Sequence, residues 1–172
     1  RAEESILGPI REECHRITGA TSGGVGLLGC EMGGQAALRL AYRHPDKFPI
    51  AAAIAPAIDF HLGMRHGHDW TDGELFDTLW EIFDEPEQAR QETAILHVHP
   101  LNWPRHQWLV SSSNDARWHD GAVRLSSKLI ALGIPHTAIL DENTHEDLVS
   151  AFADDAISFI MKSLEAEARR VS

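Results

Sequence analysis

The chain has 172 residues, of which 43% are hydrophobic and 24% are charged. These values are typical of a globular domain with a sizeable core, and we expect a single domain over residues 1–172. Its 15 basic and 26 acidic residues give a net charge of −11. Nucleic acids and anionic membranes bind basic surfaces, so this charge balance argues against both as partners.

The two cysteines, Cys14 and Cys30, fall on different predicted elements, so we expect no disulfide framework. Free thiols are typical of a reducing compartment. No apolar run approaches the ~18 residues that a membrane span needs, and no signal peptide is evident. We therefore expect a cytoplasmic protein.

Hydrophobic spacing in the first third of the chain predicts a helix, a strand, a second helix and a second strand. Apolar residues recur every three or four positions over residues 2–17, which predicts a helix, although Gly8-Pro9 disfavours a regular first turn. The other three elements are a buried strand at 25–30, a helix at 35–44 and a buried parallel strand at 50–55.

The spacing of apolar residues becomes irregular over residues 59–104, where it predicts only two short helices. We interpret this stretch as a helical insertion within the domain. The remaining predicted elements are a strand at 108–112, an amphipathic helix at 118–132, a strand at 136–140 and a long helix at 147–169. Because helices separate the strands, the sequence predicts the α/β class with a doubly wound, mainly parallel sheet.

The most informative motif is Gly-Cys-Glu-Met-Gly-Gly at residues 29–34, between a predicted strand and a predicted helix. A strand, a tight glycine turn and a helix form the setting of the nucleophile elbow of α/β-hydrolases, G-x-S-x-G. Glycines are expected because the backbone packs closely at this turn. Counting from the glycines, the position of the nucleophilic serine is occupied by Glu31.

Two further residues follow late strands and complete a candidate triad. Asp115 comes directly after the strand at 108–112, and His145 follows the last strand. The order nucleophile, acid, histidine is that of α/β-hydrolases, and parallel sheets place their sites at the carboxyl ends of strands. Two alternatives stay open: Asp115 could form an Asx turn, and His145 could be a surface histidine. Asp120 is a second candidate acid, but it falls in the first turn of the next predicted helix.

These features resemble the C-terminal half of an α/β-hydrolase of the esterase D and S-formylglutathione hydrolase type. Residues 29–34 parallel the family's G-x-S-M-G-G, and residues 114–136 resemble its acid loop, helix and last strand. The resemblance implies a small carboxylic ester or thioester as substrate. It also implies that Asp115 orients His145, that His145 is the general base, and that the N–H of Met32 is one oxyanion donor.

The motif at 29–34 arrives early, since the resembled fold builds several strands before its elbow. We therefore expect an α/β-hydrolase sheet that lacks its N-terminal strands. An upstream segment of a longer protein could complete the sheet, or another chain could do so in a homo-oligomer. We favour the upstream segment. The loop that supplies the family's second oxyanion donor would also lie there.

Glu31 changes the expected chemistry. A carboxylate that attacks an ester forms an anhydride, and its charge opposes the oxyanion that must be stabilised. We expect Glu31 to pair with His145 and raise its pKa, leaving ester hydrolysis weak or lost. The alternatives are a non-catalytic binding or scaffolding homologue, and a dehalogenase or epoxide hydrolase with a carboxylate nucleophile. Cys30 is one residue out of register, and we expect it to be a small core residue.

The eleven histidines raise the question of a metal site. Two groups contain candidate ligands, but neither has a spacing specific for a metal, so no metal and no cofactor are expected. The groups are His61, His66 and His68 with Asp69, and His97 with His99. Three tryptophans flank the acid loop, and we expect them to pack at the end of the strand: Trp103, Trp108 and Trp118.

Overall fold

A computed structural model describes residues 2–19, 24–66, 73–142 and 147–171. The chain begins with α1 (Ala2–Ser5), a π-helical turn (Ile6–Ile10) and α2 (Arg11–Thr18). The predicted first helix is confirmed, but Pro9 lies inside the π turn. Proline has no N–H for a helical hydrogen bond, and the wider turn accommodates it without ending the helix.

Within the described ranges, four parallel strands form the sheet, in the spatial order in which they occur along the chain. They are β1 (Gly26–Cys30), β2 (Ile50–Ile54), β3 (His106–Ser112) and β4 (Thr137–Glu142). Parallel neighbours need crossover connections, and helices supply them. In the described part of the chain β1 lies at one edge of the sheet, and its Leu28 is exposed.

The helix α3 (Glu31–Arg43) follows β1 without a loop and begins four residues before the predicted position. The two glycines of its first turn have low helix propensity, so the sequence pattern did not predict this turn as helical. Tertiary contacts of the turn with β1 hold it in place instead. The C-terminal end of α3 is close to the predicted one.

Between β2 and β3 the described residues form short helices. They are α4 (Gly63–His66), α5 (Gly73–Ile82), α6 (Pro86–Gln91) and the 3-10 turns Phe60–Leu62 and Ala94–His97. The two helices predicted within 59–104 are confirmed at 73–82 and 86–91, whereas the helical segments at 60–66 and 94–97 were not predicted. These helices build an apolar cluster of their own, which we call the insert core. It comprises Ala57, Phe60, Met64, Leu79, Ala89 and Trp118, with Met32, Leu75 and Phe83 packed against it. The status of this stretch as an insertion stays a prediction.

The last two helices, α7 (His119–Ala131) and α8 (Leu148–Val171), complete the helical layers on the two faces of the sheet. Alternate residues of β2 point to opposite faces of the sheet: Ala51 and Ala53 pack with α3 and α7, whereas Ala52 and Ile54 pack with α8. This arrangement confirms the predicted doubly wound α/β fold. No helix in the described ranges is long and apolar enough to span a bilayer.

Candidate active site

Glu31 lies at the junction of β1 and α3 with φ of 48°. A non-glycine residue in this left-handed region costs on the order of 1–3 kcal/mol and is kept only where the surroundings impose it. Here the N–H of Ala57 donates to the Glu31 carbonyl over 3.0 Å. The Glu31 side chain is 53% exposed. The junction is therefore a strained connection between a strand and a helix, while its assignment as a nucleophile elbow and the chemical role of Glu31 stay predictions.

The glycines explain how this turn closes. A Cβ on Gly29 would lie 2.2 Å from the carbonyl oxygen of Gly33, and a Cβ on Gly34 would lie 3.0 Å from the carbonyl oxygen of Gly29. The expected close backbone approach is therefore present at Gly29 and Gly34. At Gly33 an added Cβ would meet nothing within 4 Å. Only part of the motif is required by packing.

Asp115 lies in a turn after β3, and its side chain is 16% exposed. Its N–H donates to the Ser112 carbonyl over 3.0 Å, and its Oδ1 accepts the N–H of Arg117 over 3.1 Å. The second contact is an Asx turn, one of the two readings that the sequence left open. An ionised carboxylate accepts several hydrogen bonds, so the turn is compatible with orienting a histidine. Asp120 is exposed in the first turn of α7.

Arg117 links the two predicted carboxylates. Its Nη2 lies 3.7 Å from Glu31 Oε1, and its Nε lies 3.7 Å from Asp115 Oδ1. Its guanidinium lies over the indole of Trp118, 5.7 Å from the ring centroid, within the range of a cation–π interaction. The structure thus brings Glu31 and Asp115 to one cation at the carboxyl edge of the sheet.

Sequence reasoning missed Arg117. The usable signal was Asp-Ala-Arg at 115–117, because an Asx turn folds the chain back and returns the residue two positions later toward the aspartate. The expected partner of Glu31 was His145, which lies outside the described residues together with the rest of 143–146. Within the described residues, the ion pair recorded for Glu31 is with Arg117.

The insert is attached to the first turns of α3. The Met32 side chain packs against the insert core, and the side chain of Gln35 fixes the chain after α6. Its Nε2 donates to the Glu92 carbonyl over 2.9 Å, and its Oε1 accepts the N–H of Ala94 over 2.7 Å. The first N–H groups of a helix have no acceptor within the helix, which suits the N–H of Met32 to its predicted oxyanion role. That role stays a prediction.

Cys30 is partly rather than fully buried, against the apolar cluster that faces α8. Burial raises the pKa of its thiol, and the negative charges of Glu31 and Asp147 raise it further. A neutral thiol is a poor nucleophile, so these surroundings do not activate Cys30.

The histidine groups have ordinary structural surroundings where they are described. His61 is buried, whereas His68 and Asp69 lie outside the described residues. Burial lowers the pKa of His97, and the charges of Arg39 and Arg43 lower it further. Among the residues with described placement, no three His, Cys, Asp or Glu side chains are close enough to hold a metal ion.

The three tryptophans pack in separate apolar clusters. Trp118 is fully buried in the insert core, and Trp108 is buried on the sheet face that carries α8. Trp103 is partly buried against the cluster on the opposite face. The expected packing at the end of the strand therefore applies only to Trp118, which follows the acid loop and supports Arg117.

Comparison with known proteins assigns the family. The family model described as "Putative esterase" matches residues 15–150. A search of curated protein sequences found no match.

Solved structures share the fold at low sequence identity. An S-formylglutathione hydrolase from Agrobacterium tumefaciens has a TM-score of 0.68 at 15% identity, over 93% of this chain and 56% of that one. An S-formylglutathione hydrolase from Staphylococcus aureus has a TM-score of 0.60 at 17% identity, over 94% of this chain and 63% of that one. Dipeptidyl peptidase 4 from Porphyromonas gingivalis has a TM-score of 0.65 at 17% identity, over 93% of this chain and 22% of that one. The chain thus spans between a fifth and two thirds of the length of these α/β-hydrolase-fold structures.

Proposed function

The chain belongs to this esterase family, and from that premise we propose that its site is built for small carboxylic esters or thioesters, with turnover weakened or lost because Glu31 occupies the nucleophile position. The observation that carries the proposal is Glu31 itself. It sits at a strained φ of 48° between β1 and α3, and Arg117 connects it to Asp115.

In the proposed parent reaction, a serine at position 31 attacks the ester carbonyl and His145 accepts the serine proton. Asp115 orients His145, and the N–H of Met32 stabilises the oxyanion. The alkoxide or thiolate leaves with the proton from His145, and water then releases the acid from the acyl-enzyme. Glu31 has no hydroxyl for the first step, and its negative charge beside the oxyanion position raises the barrier.

The proposal also includes how the sheet is completed in the intact protein and where the protein is located. The chain covers part of the length of its structural neighbours, and β1 is an edge strand in the described part of the chain. We infer that an N-terminal segment or, in a homo-oligomer, a second copy pairs with β1 and supplies the second oxyanion donor. A cytoplasmic location is part of the same proposal.

The test is to measure p-nitrophenyl acetate hydrolysis by the intact protein and its E31S and E31A variants. We expect wild type and E31A to stay near the background rate. The E31S variant should gain at least about a hundredfold in kcat/KM, the order that a positioned general base provides. Adding D115N or H145Q to E31S should remove most of this gain. The proposal is wrong if wild type is already fast and E31S is no faster.

A non-catalytic binding role is the second candidate, and the ion pair between Glu31 and Arg117 favours it. This pair gives the Glu31 carboxylate a cationic partner within the described residues. If E31S gains no hydrolysis while its unfolding curve and ligand binding stay normal, the binding role becomes the better account of the site.

A further inference from the structure

Gln35 is a buried polar residue of α3, one helical turn beyond Glu31, and it is only 4% exposed. Both ends of its amide are used, since Nε2 donates to the Glu92 carbonyl over 2.9 Å and Oε1 accepts the N–H of Ala94 over 2.7 Å. One partner requires a donor and the other an acceptor, so the two bonds fix the orientation of the amide. Ala94 is itself fully buried, and Gln35 supplies the acceptor that its N–H needs.

These contacts fasten the last part of the insert to α3. Residues 92–94 connect α6 with the 3-10 turn at 94–97. The guanidinium of Arg39, one turn further along α3, forms an ion pair with the side chain of Glu92. The preceding helix α6 reaches the insert core through Ala89, which is fully buried. The attachment of this segment to α3 therefore fixes where α6 meets the insert core.

The insert core contacts the turns that follow the first three strands. The Met32 side chain packs against it directly after Glu31, and Trp118 is fully buried in it directly after Arg117. Ala57 belongs to the same cluster, and its N–H donates to the Glu31 carbonyl over 3.0 Å. The left-handed φ of 48° at Glu31 needs surroundings that impose it, and the insert core is part of those surroundings.

We propose that Gln35 is a positioning residue of the candidate site. By fixing the insert to α3, it holds the insert core against the turns that carry Glu31 and Asp115. The effect on turnover rests on the proposed ester site, whereas the effect on the geometry of the turn does not. The alternative is that Gln35 adds only to global stability, as buried hydrogen bonds do in general.

Native-state hydrogen exchange of the intact protein separates these two roles without requiring turnover. The Q35M variant removes both hydrogen bonds with a side chain of similar length. If Gln35 positions the turn, the amide of Ala57 should exchange at least about tenfold faster in Q35M than the loss of global stability accounts for.

The Q107M variant is the matched control. Gln107 is also buried, at 2% exposed, and its Nε2 donates to the Pro135 carbonyl over 3.2 Å at the amino end of the sheet. In Q107M, exchange at Ala57 should rise no more than the loss of global stability predicts. An equal excess in the two variants, or no excess in Q35M, would overturn the inference.

If Q35M does not fold, the urea dependence of exchange in the wild-type protein decides the question. The amides of Ala57 and Ala94 should then open together, with a smaller urea dependence than global unfolding has. Opening of Ala94 while Ala57 stays protected would overturn the inference, and so would opening of Ala57 only by global unfolding.

Turnover shows which of the two proposals fails. In E31S, adding Q35M should lower kcat for p-nitrophenyl acetate about tenfold with less than a twofold change in KM, because displaced reacting groups affect the transition state more than substrate binding. Adding Q107M should leave both within twofold. If E31S does not hydrolyse the ester, the ester proposal fails while exchange at Ala57 still decides the role of Gln35. Hydrolysis that Q35M leaves unchanged, with exchange at the control level, rejects the present inference and keeps the ester proposal.

Discussion

The two ends of β3 carry ion pairs of opposite character. At its amino end, Arg105 donates two hydrogen bonds to Glu167, from Nε to Oε1 over 2.7 Å and from Nη2 to Oε2 over 2.5 Å. His106 Nε2 lies 3.1 Å from Glu167 Oε1. The Glu167 side chain is only 5% exposed. Beyond its carboxyl end, Arg117 lies 3.7 Å from one carboxylate oxygen of Glu31 and 3.7 Å from one carboxylate oxygen of Asp115. The Glu31 side chain is largely exposed.

The ion pairs at the amino end of β3 stabilise the fold, whereas those beyond its carboxyl end lie at the candidate site. The buried, hydrogen-bonded Glu167 attaches the last turns of α8 to the start of β3, and removal of one partner would leave a buried charge without compensation. The pairs at the carboxyl end join partly exposed groups over 3.7 Å, and such pairs contribute little to stability. The non-glycine residues with positive φ in the described ranges, Glu31 and Ala55, both lie at this carboxyl end. Strained backbone and loose charges at one edge are typical of a site rather than of a structural contact.

The largest expected effect concerns the strained end itself. Gly29→Ala would force its Cβ into the Gly33 carbonyl, so we expect a loss of at least about 3 kcal/mol in the free energy of unfolding, or no folded protein. Gly33→Ala is the matched control, because an added Cβ there meets nothing within 4 Å. Its stability should change by less than about 1 kcal/mol. Urea unfolding measures both, and equal effects of the two substitutions would contradict this account of the turn.

At the amino end, Glu167→Gln should lower the free energy of unfolding by about 2 kcal/mol, because the two hydrogen bonds from Arg105 lose their charged acceptor or are lost. The exposed Glu165 lies one half-turn away on α8, and Glu165→Gln should change stability by less than about 0.5 kcal/mol. Chemical denaturation of both variants makes the comparison. A neutral effect of Glu167→Gln would remove the distinction between the two ends of β3.

The pH dependence should follow Glu167 as well. The hydrogen bond from Arg105 lowers the pKa of Glu167 below its usual value, despite the opposing effect of burial. A carboxyl group whose pKa is lower in the folded state stabilises the protein above its unfolded-state pKa, and this contribution is lost as the pH falls through the folded-state pKa. Stability should therefore fall more steeply below about pH 4.5 in wild type than in Glu167→Gln. Parallel curves for the two proteins would exclude Glu167 as a cause of acid unfolding.

The smallest effect is expected for Arg117→Gln, because the contacts of Arg117 to the Glu31 and Asp115 carboxylates measure 3.7 Å and its own side chain is partly exposed. The free energy of unfolding should change by less than about 0.5 kcal/mol. Thermal and urea unfolding provide the measurement. A loss above about 2 kcal/mol would make Arg117 a structural residue like Arg105 and would end the contrast.

The sequence predicted the fold well where periodicity and packing agree. The apolar runs that became β1 and β2, and the amphipathic pattern that became α7, identify element types and their order. The expected burial was right for β2 and wrong for β1, which is only partly buried because it lies at the edge of the described sheet. Boundaries set by tertiary contacts were less accurate. The start of α3 depends on the backbone contact between Gly29 and Gly33, which no propensity encodes, and the π turn around Pro9 depends on how the chain absorbs a missing N–H.

The candidate site was predicted in part for a similar reason. Glu31 and Asp115 follow strands, and parallel strands deliver such residues to one edge of the sheet. Arg117 reaches that edge through a side-chain turn at Asp115, a detail that spacing along the chain does not give. The prediction for His145 lies outside the described residues.

Labelling of the intact protein with a fluorophosphonate probe tests Glu31 as the occupant of the nucleophile position most directly. The probe forms a bond only with an activated nucleophile in a hydrolase site. After peptide mapping, we expect no adduct on wild type and an adduct at position 31 of E31S, reduced when H145Q is added. An adduct elsewhere on wild type, or a folded E31S that stays unlabelled, would contradict the assignment of this turn as the elbow of a silenced esterase site.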